Sequence, residues 1–196
     1  TNNTILKFTI MKHLIIYSHL NPASFTKAIV DEVEKKAIDK GEEVKIIDLY
    51  GEKFNPVLDM PDIEYMFMGK EIPNDTAHYQ KLINWADHLT IVYPMWWAQM
   101  PAMLKGFIDR VFSHGFAFQL TENGPIGLLN GKTAHVYINT NTPTAIYEET
   151  LMNQAQIRVI EQGVFEFCGV KTETTFFGNV VSGTNELRKS YLETIK

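Results

Sequence analysis

Two adjacent tryptophans follow a short apolar run in the segment YPMWWAQMPAMLKGFIDRVF, residues 93–112. An indole ring carries a large apolar surface with one polar N–H, so two such rings in solvent are costly. Neighbouring residues of an extended turn point to opposite sides, so the two rings cannot both enter the same core. We expect at least one of Trp96 and Trp97 to face a flat ligand, with the backbone N–H groups of Met95 and Trp96 on its polar edge. The alternative is that both rings fill a subunit interface.

A second candidate segment is SHLNPASFTK, residues 18–27, which leaves an apolar run and enters a helical pattern. Ser24 is a favourable N-cap, and a helix begins with free backbone N–H groups and the positive end of its dipole. Such a site suits a phosphate group. The segment is neither a GxGxxG turn nor a GK[ST] loop, and a plain capped turn is the alternative. The candidate contacts are His19, Asn21, Ser24, Phe25 and Thr26.

The third segment is INTNTPTAIY, residues 138–147, which is rich in small polar side chains and ends in Tyr147. Such side chains can donate hydrogen bonds to the part of a redox cofactor where negative charge gathers on reduction. Taken alone, the segment is equally typical of a polar loop before a helix.

Periodicity predicts the elements that must position these segments. Apolar runs at residues 12–18, 44–50, 88–94 and 132–140 predict buried strands, and the more polar run near 170–177 predicts an edge strand. Helical spacing predicts helices over 24–40, 76–87, from Pro101 onward, 145–167 and 185–195.

Alternating strands and helices predict an α/β fold in three layers, with a doubly wound, five-stranded parallel sheet of the flavodoxin type or of a Rossmann relative. Ligands of such sheets bind outside the carboxyl ends of the strands. The three candidate segments begin at those ends, near Ser18, Tyr93 and Thr140.

Composition limits the possible partners. The chain of 196 residues has a net charge of −5 and no basic stripe, which argues against nucleic acid. It has no apolar run of about 20 residues, so we expect no membrane insertion. We expect one domain over residues 11–196, preceded by an N-terminal extension at 1–10.

The cysteine and histidine residues predict no metal site. Cys168 is the only cysteine, which excludes an internal disulfide and suits the reducing cytoplasm. Five of the six histidines lack the spacing of a metal motif and are expected to be structural or surface residues. These are His13, His78, His88, His114 and His135.

From Met11 onward the chain resembles the flavodoxin-2 family, which includes NAD(P)H:quinone oxidoreductases of the DT-diaphorase type and small bacterial NAD(P)H oxidoreductases. The segment at residues 93–118 is similar to the family pattern of aromatic-Pro-x-x-Trp, PAxLKGxxxRVF and GFAF. HLNPASFTKAI resembles the family's phosphate loop, and FCGVK with LRKSYLE resembles its C-terminal block.

The resemblance implies FAD as cofactor, with FMN as the alternative, because Arg188 matches an arginine that contacts the adenine half of FAD in longer relatives. It also implies that Tyr147 stabilises the reduced flavin, that Trp97 lines the shared nicotinamide and acceptor face, and that Phe118 closes the pocket from the partner subunit. The remaining implied flavin contacts are His19, Phe25 and Thr26 at the phosphate and ribityl chain, Pro94, Met95, Trp96 and Trp97 at the isoalloxazine, and Asn139, Thr140, Asn141 and Thr142 at the pyrimidine ring.

Two positions depart from the family pattern. Asn141 and Thr142 stand where many members have two glycines, which changes how closely the backbone can approach the flavin. Asn153 stands where the mammalian quinone reductases have a histidine, so a Tyr–His relay is not expected.

The implied activity is ping-pong hydride transfer from NAD(P)H through the flavin to a quinone or another flat electrophile, in a cytoplasmic homodimer. Neither NADH nor NADPH is favoured, since no arginine can be assigned to a 2′-phosphate. Two other functions fit the same residues: an ancillary flavin-binding subunit of a transport system, and a flavodoxin-type electron carrier. A phosphoacceptor receiver domain does not fit, because Tyr17, Ser18 and His19 stand where it needs acidic residues.

Overall fold

A parallel sheet of five strands organises the chain. The computed structural model describes residues 10–196, so the predicted extension at 1–10 lies outside the described residues except for Ile10. The strand order is β2-β1-β3-β6-β7, the doubly wound order expected from the sequence. The strands are β1 (Lys12–Tyr17), β2 (Glu43–Asp48), β3 (His88–Pro94), β6 (Thr133–Asn139) and β7 (Lys171–Phe177).

The strands follow their predicted ranges closely, and the three inner strands β1, β3 and β6 are buried almost throughout. Leu14, Ile15 and Ile16 of β1 are at most 1% exposed, as expected for a strand between two layers of helices. Both β2 and β7 lie at sheet edges and carry exposed residues. The prediction that the fifth strand is an edge is therefore confirmed. Ile47 is the only buried residue of β2, so the prediction of a buried strand at 44–50 is wrong, because an edge strand has a neighbour on one side only.

Helices cover both faces of the sheet, which confirms the three layers. One face packs against α3 and α4, and the other packs against α1 and α7. Within residues 10–196 the helices are α1 (Phe25–Asp39), α2 (Met60–Met68), α3 (Asn74–Trp85), α4 (Ala102–Val111), α5 (Thr144–Glu149), α6 (Met152–Ile157), a π-helix (Arg158–Glu166) and α7 (Asn185–Glu193).

Three features differ from the sequence prediction. The predicted helix at 145–167 is broken, because Leu151 has a left-handed φ of 57° and a π-helix follows α6. A short hairpin of β4 (Phe118–Thr121) and β5 (Gly124–Gly127) forms beside the main sheet. Finally, α2 was not predicted, although Pro61 at its start and Gly69 at its end are typical boundary residues.

A buried ion pair joins α4 to α2. Asp62 is 0% exposed and Arg110 is 4% exposed, and Arg110 Nε donates to Asp62 Oδ2 over 2.8 Å. Arg110 Nη1 also donates to Asn55 O at 2.8 Å and to Asp75 Oδ2 at 2.7 Å. The guanidinium thus has partners at both ends, as a buried charge requires.

The outer carboxylate of this network gives a pH prediction. The hydrogen bond from Arg110 lowers the pKa of Asp75 below its ordinary value of 3.8. A carboxyl with a depressed folded-state pKa stabilises the protein above its unfolded pKa, and this stabilisation is lost as pH falls through the folded value. We expect a decline in the free energy of unfolding below about pH 4, measured by urea titration, that is shallower in Asp75→Asn. Equal slopes for the two proteins would contradict this assignment.

No helix within residues 10–196 combines the length and the apolar character needed to cross a membrane.

Candidate functional site

A cleft of about 760 Å³ lies at the carboxyl ends of the strands. Its walls come from all three candidate segments and from α7. The predicted residues that line it are His19, Ser24, Phe25, Thr26, Pro94, Met95, Trp96, Asn139, Thr140, Asn141 and Arg188. Five predicted residues lie outside its lining, namely Asn21, Trp97, Phe118, Thr142 and Tyr147.

The phosphate-type loop has the expected capped geometry. Ser24 Oγ accepts a hydrogen bond from Lys27 N at 3.2 Å, which confirms Ser24 as the N-cap. Within residues 10–196, the backbone N–H groups of Phe25 and Thr26 donate to no protein acceptor. These two donors lie at the positive end of the α1 dipole and beside the cleft, an arrangement that suits an anion.

His19 and Asn21 have different tasks in this loop. Asn21 accepts hydrogen bonds from Ala23 N at 2.9 Å and Ser24 N at 3.2 Å, so its oxygens fold the loop and it does not line the cleft. His19 Nδ1 accepts from Asn21 N at 2.9 Å, which leaves the ring proton on Nε2. Burial lowers the pKa of His19, so at neutral pH the ring is an uncharged donor.

The tryptophan segment forms a tight two-residue turn. Trp96 N donates to Gln99 O and Gln99 N donates to Trp96 O, both at 2.9 Å. The two residues between them, Trp97 and Ala98, have φ values of 52° and 55°. A left-handed conformation costs a non-glycine residue roughly 1–2 kcal/mol, so this backbone is strained.

The turn changes which backbone groups are free. Met95 N donates to Asn139 O at 2.8 Å and Trp96 N is used by the turn, so the expectation that these two amides face a ligand is wrong. Among the described residues, the N–H groups of Trp97 and Ala98 donate to no protein acceptor. The reason is the left-handed conformation of Trp97 and Ala98. It brings Trp96 and Gln99 together, so that these two hydrogen-bond to each other and the N–H groups of the two central residues remain unused.

The side chain of Gln156 hydrogen-bonds to this turn. The sequence analysis did not predict this role for Gln156. Its side chain is 7% exposed, and Nε2 donates to Ala98 O at 2.6 Å. Gln156 lies in α6, within a segment predicted as one continuous helix. Nothing in the helical pattern distinguishes it from its exposed neighbour Gln154, because its partner is 58 residues away.

The third segment joins the other two at the floor of the cleft. Asn139 is 4% exposed, and its Nδ2 donates to Thr26 Oγ1 at 2.9 Å and to Tyr93 O at 3.2 Å. Thr140 Oγ1 lies 3.5 Å from the hydroxyl of Tyr147, which places that phenol next to a residue of the cleft lining.

Asn141 and Arg188 organise the loop before α7. Asn141 Oδ1 accepts hydrogen bonds from Val181 N and Ser182 N at 3.2 and 2.9 Å. Arg188 Nη1 donates to Val180 O at 2.7 Å and to Gly183 O at 2.9 Å. The cleft continues past this loop along α7, and its unpredicted lining residues there are Val180, Val181, Asn185, Glu186, Lys189 and Leu192.

Trp97 and Phe118 face away from the cleft of their own chain. Trp97 is 100% exposed. Phe118 lines a separate hollow of about 330 Å³, where its ring centroid lies 5.0 Å from that of Phe167. Apolar side chains surround this region on the surface, and those more than a third exposed include Phe67, Met68, Leu120, Ile126 and Phe167.

Comparison with known proteins places the chain among redox proteins of this fold. The sequence profile described as "Flavodoxin-like fold" matches residues 11–195. A Haemophilus influenzae protein named an uncharacterized NAD(P)H oxidoreductase is 37% identical over 93% of this chain and 91% of its own length. Human ribosyldihydronicotinamide dehydrogenase [quinone] is 29% identical over 82% of this chain and 78% of its own.

Solved structures show the same fold. The crystal structure of Smu.1420 from Streptococcus mutans superposes with a TM-score of 0.84 at 32% identity, covering 94% of this chain and 96% of that one. An FMN-dependent NADH-azoreductase from Bacillus anthracis, solved in complex with FMN, has a TM-score of 0.77 at 16% identity, covering 95% and 96% of the two chains. The second likeness concerns the fold alone.

Proposed function

Since the chain belongs to the flavodoxin-like fold family, we propose that it is a flavin-dependent NAD(P)H oxidoreductase that reduces quinones or similar flat electrophiles. One observation carries the proposal: among the described residues, unused backbone donors occur both in the cleft lining and on the turn next to it. Phe25 and Thr26 supply them in the lining, at the start of α1. Trp97 and Ala98 supply them on the turn that directly follows the lining residue Trp96.

The donors present fit the two polar regions of a flavin nucleotide. The N–H groups of Phe25 and Thr26, with Nε2–H of His19, would hold the phosphate. The N–H groups of Trp97 and Ala98 would donate to the polar edge of the ring system, replacing the expected Met95 and Trp96. When bound, the flavin would supply the hydride chemistry that the side chains lack.

Residues at the third segment would act on developing charge. Thr140 and Tyr147 place two hydroxyl groups 3.5 Å apart beside the cleft. A preorganised donor there would stabilise negative charge that gathers as the ring system is reduced. Asn141 would act indirectly, because its side-chain oxygen already holds the 181–182 backbone.

The α7 residues in the cleft lining support FAD as the proposed cofactor. The lining includes Ser24 of the phosphate loop and also Arg188 and Leu192 of α7, residues that could contact the second half of a dinucleotide. FMN is the alternative, and it would leave the α7 end empty. Heat release of the bound flavin followed by chromatography distinguishes the two.

The function itself is tested by spectroscopy of the purified protein. Flavin absorption should bleach when NADH or NADPH is added without oxygen, and return when menadione follows. Failure to bind flavin after reconstitution would overturn the proposal. Flavin that binds but resists reduction by NAD(P)H would instead favour the electron carrier or the ancillary subunit.

Replacing Trp97 with alanine should impair the acceptor and leave the fold intact. The ring is fully exposed in the isolated chain, so its loss removes no packing within the protomer. If it lines the acceptor face, we expect the KM for menadione to rise about tenfold, as loss of one aromatic contact of roughly 1–1.5 kcal/mol requires. Steady-state kinetics measures this. Trp85→Phe, on the side of α3, serves as the control and should leave KM unchanged.

Replacing Gln156 with leucine should loosen the strained turn. The change keeps the volume and removes the donor to Ala98 O, at a cost of about 1 kcal/mol in the free energy of unfolding. We expect the flavin dissociation constant to rise several-fold, measured by fluorescence titration. Gln154→Leu, an exposed position on the same helix, is the matched control. Equal effects of the two substitutions would remove Gln156 from the site.

A homodimer is part of the proposal. The apolar patch of Phe67, Met68, Leu120, Ile126 and Phe167 is the kind of surface that a subunit interface covers. Its closeness to Phe118 supports the idea that this ring closes the pocket of a partner subunit. Sedimentation equilibrium should give a mass near twice 22.4 kDa.

A cytoplasmic location is also part of the proposal. The use of NAD(P)H and the single cysteine support it.

A further inference from the structure

A second cavity, of about 360 Å³, lies at the amino ends of the strands, on the face covered by α1 and α7. Three histidines on neighbouring strands line it: His13 on β1, His88 on β3 and His135 on β6. The strand register sets His13 beside His88 and Thr90 beside His135. Strands of six to seven residues separate this cavity from the flavin cleft by about 20 Å.

His13 is already satisfied by the protein. Its Nδ1 lies 2.9 Å from Glu42 Oε2, and its Nε2 lies 2.8 Å from Thr90 Oγ1. Its ring meets that of His88 edge-on, with centroids 4.7 Å apart. His13 therefore forms a fixed wall of the cavity and leaves binding to its neighbours.

His88 and His135 each use only one ring nitrogen. His88 Nδ1 lies 2.7 Å from Thr133 Oγ1, and His135 Nε2 lies 2.8 Å from Thr175 Oγ1. Nδ1 of His135 is 4.0 Å from Glu173 Oε2, which is too far for a hydrogen bond. The His135 residue is 7% exposed. Nε2 of His88 has no protein partner within residues 10–196. Among the described residues neither of these two nitrogens is fully buried, so both remain accessible to a ligand in the cavity that the two histidines line.

The charges around the cavity favour an anion. Its lining contains three lysines and two glutamates, although the whole chain has a net charge of −5. Glu42 is engaged by His13, and Glu173 pairs with Lys196 at 2.8 Å. Among the described residues, Lys40 and Lys171 have no carboxylate within salt-bridge distance. No group of His, Cys, Asp and Glu in the described chain has the arrangement of a metal site.

We propose that this cavity binds a small oxyanion, the carboxylate or phosphate group of a compact ligand, independently of the flavin cleft. Nε2–H of His88 and Nδ1–H of His135 donate to the anion, and Lys40 and Lys171 supply the charge. For both histidines, the other ring nitrogen lies within hydrogen-bond distance of a threonine hydroxyl, which by donating to it would fix the tautomer that the anion needs. Apolar walls from α1 and β6 leave room for a short carbon skeleton.

Protons should accompany the anion. Burial lowers the pKa of His88 and His135 to about 4, so both rings are neutral in the empty protein at pH 7. A bound anion favours their charged form, so binding takes up protons and tightens as pH falls from 7.5 to 5.5. The other ionisable groups that face these rings are His13, Lys40, Glu42, Tyr137, Lys171, Glu173 and Lys196.

The test is a histidine NMR titration of the full chain saturated with flavin, with inorganic phosphate and benzoate as separate probes. Single His→Gln variants assign the signals. We expect saturable shifts at His88 and His135, and at least a tenfold loss of affinity in Lys171→Met, an exposed position where folding is not at risk. Lys189→Met, which removes a lysine of the flavin cleft, is the matched control and should keep full affinity.

Either probe binding alone supports the site and identifies the source of the oxyanion. Shifts that do not saturate, that match those of the exposed His78, or that persist in Lys171→Met would overturn the proposal. Binding of Zn²⁺ with neither anion would also overturn it. The Lys171 and Lys189 variants answer this question even if the chain holds no flavin.

Discussion

Replacing Asp62 with asparagine is expected to lower the free energy of unfolding by about 3–5 kcal/mol, the cost of breaking a buried ion pair. Asp62 is fully buried, and it accepts hydrogen bonds from Arg110 Nε and from Asp59 N. The amide lacks the negative charge that balances the guanidinium. Arg110 would then rely on Asp75, whose side chain is 44% exposed and screened by water.

Urea unfolding monitored by circular dichroism measures this effect. Asp75→Asn is the matched control and should cost about 1 kcal/mol or less, because the pair it breaks is open to solvent. The double variant Asp62→Leu with Arg110→Met should recover part of the loss, since both buried charges are gone. Equal losses of stability in Asp62→Asn and Asp75→Asn would show that the buried ion pair is not the main contact stabilising α2 against α4.

Replacing Tyr147 with phenylalanine is expected to slow reduction by NAD(P)H about 100-fold, the usual effect of removing one donor from a developing charge. The hydroxyl lies beside Thr140 at the cleft, and Tyr147 is only partly buried, so the fold should survive. Flavin binding should change little, because the lost hydrogen bond matters most in the reduced state.

Stopped-flow measurement of the reductive step, with the flavin content of each variant verified, separates this effect from loss of cofactor. Tyr65→Phe removes a hydroxyl on α2 that lies 3.4 Å from Gln80, and it serves as the control. An unchanged reduction rate in Tyr147→Phe would assign the phenol to packing. A fall in flavin content equal to the fall in rate would assign it to binding.

The strands of the central sheet could be predicted because each is marked by the pattern of apolar residues within its own short segment. Uninterrupted apolar runs such as that of β3 predict buried parallel strands, and the crossover rule then leaves few possible strand orders. The positions of Ser24 and Asn139 in the site followed from the same rule, since ligands gather at the carboxyl ends of strands.

The details of the site were less accessible because they depend on non-local contacts or on unfavourable backbone. Trp97 and Ala98 adopt left-handed conformations that neither residue type favours, so no sequence signal marked the turn, and the free amides were predicted at Met95 and Trp96. Gln156 acts through a carbonyl far away in sequence. By contrast, Asn123-Gly124 at the start of β5 is a favourable hairpin signal that the sequence analysis did not use.

The hydrogen bond between Asn139 and Thr26 also bears on how the protein folds. It spans 113 residues, so the loop it closes is among the costliest in entropy and should close late. A partly synthesised chain that ends before β6 would have the α1 helix and no floor for the cleft. A cofactor that binds only the finished cleft would then stabilise the native state by mass action, so that the thermal midpoint rises with flavin concentration.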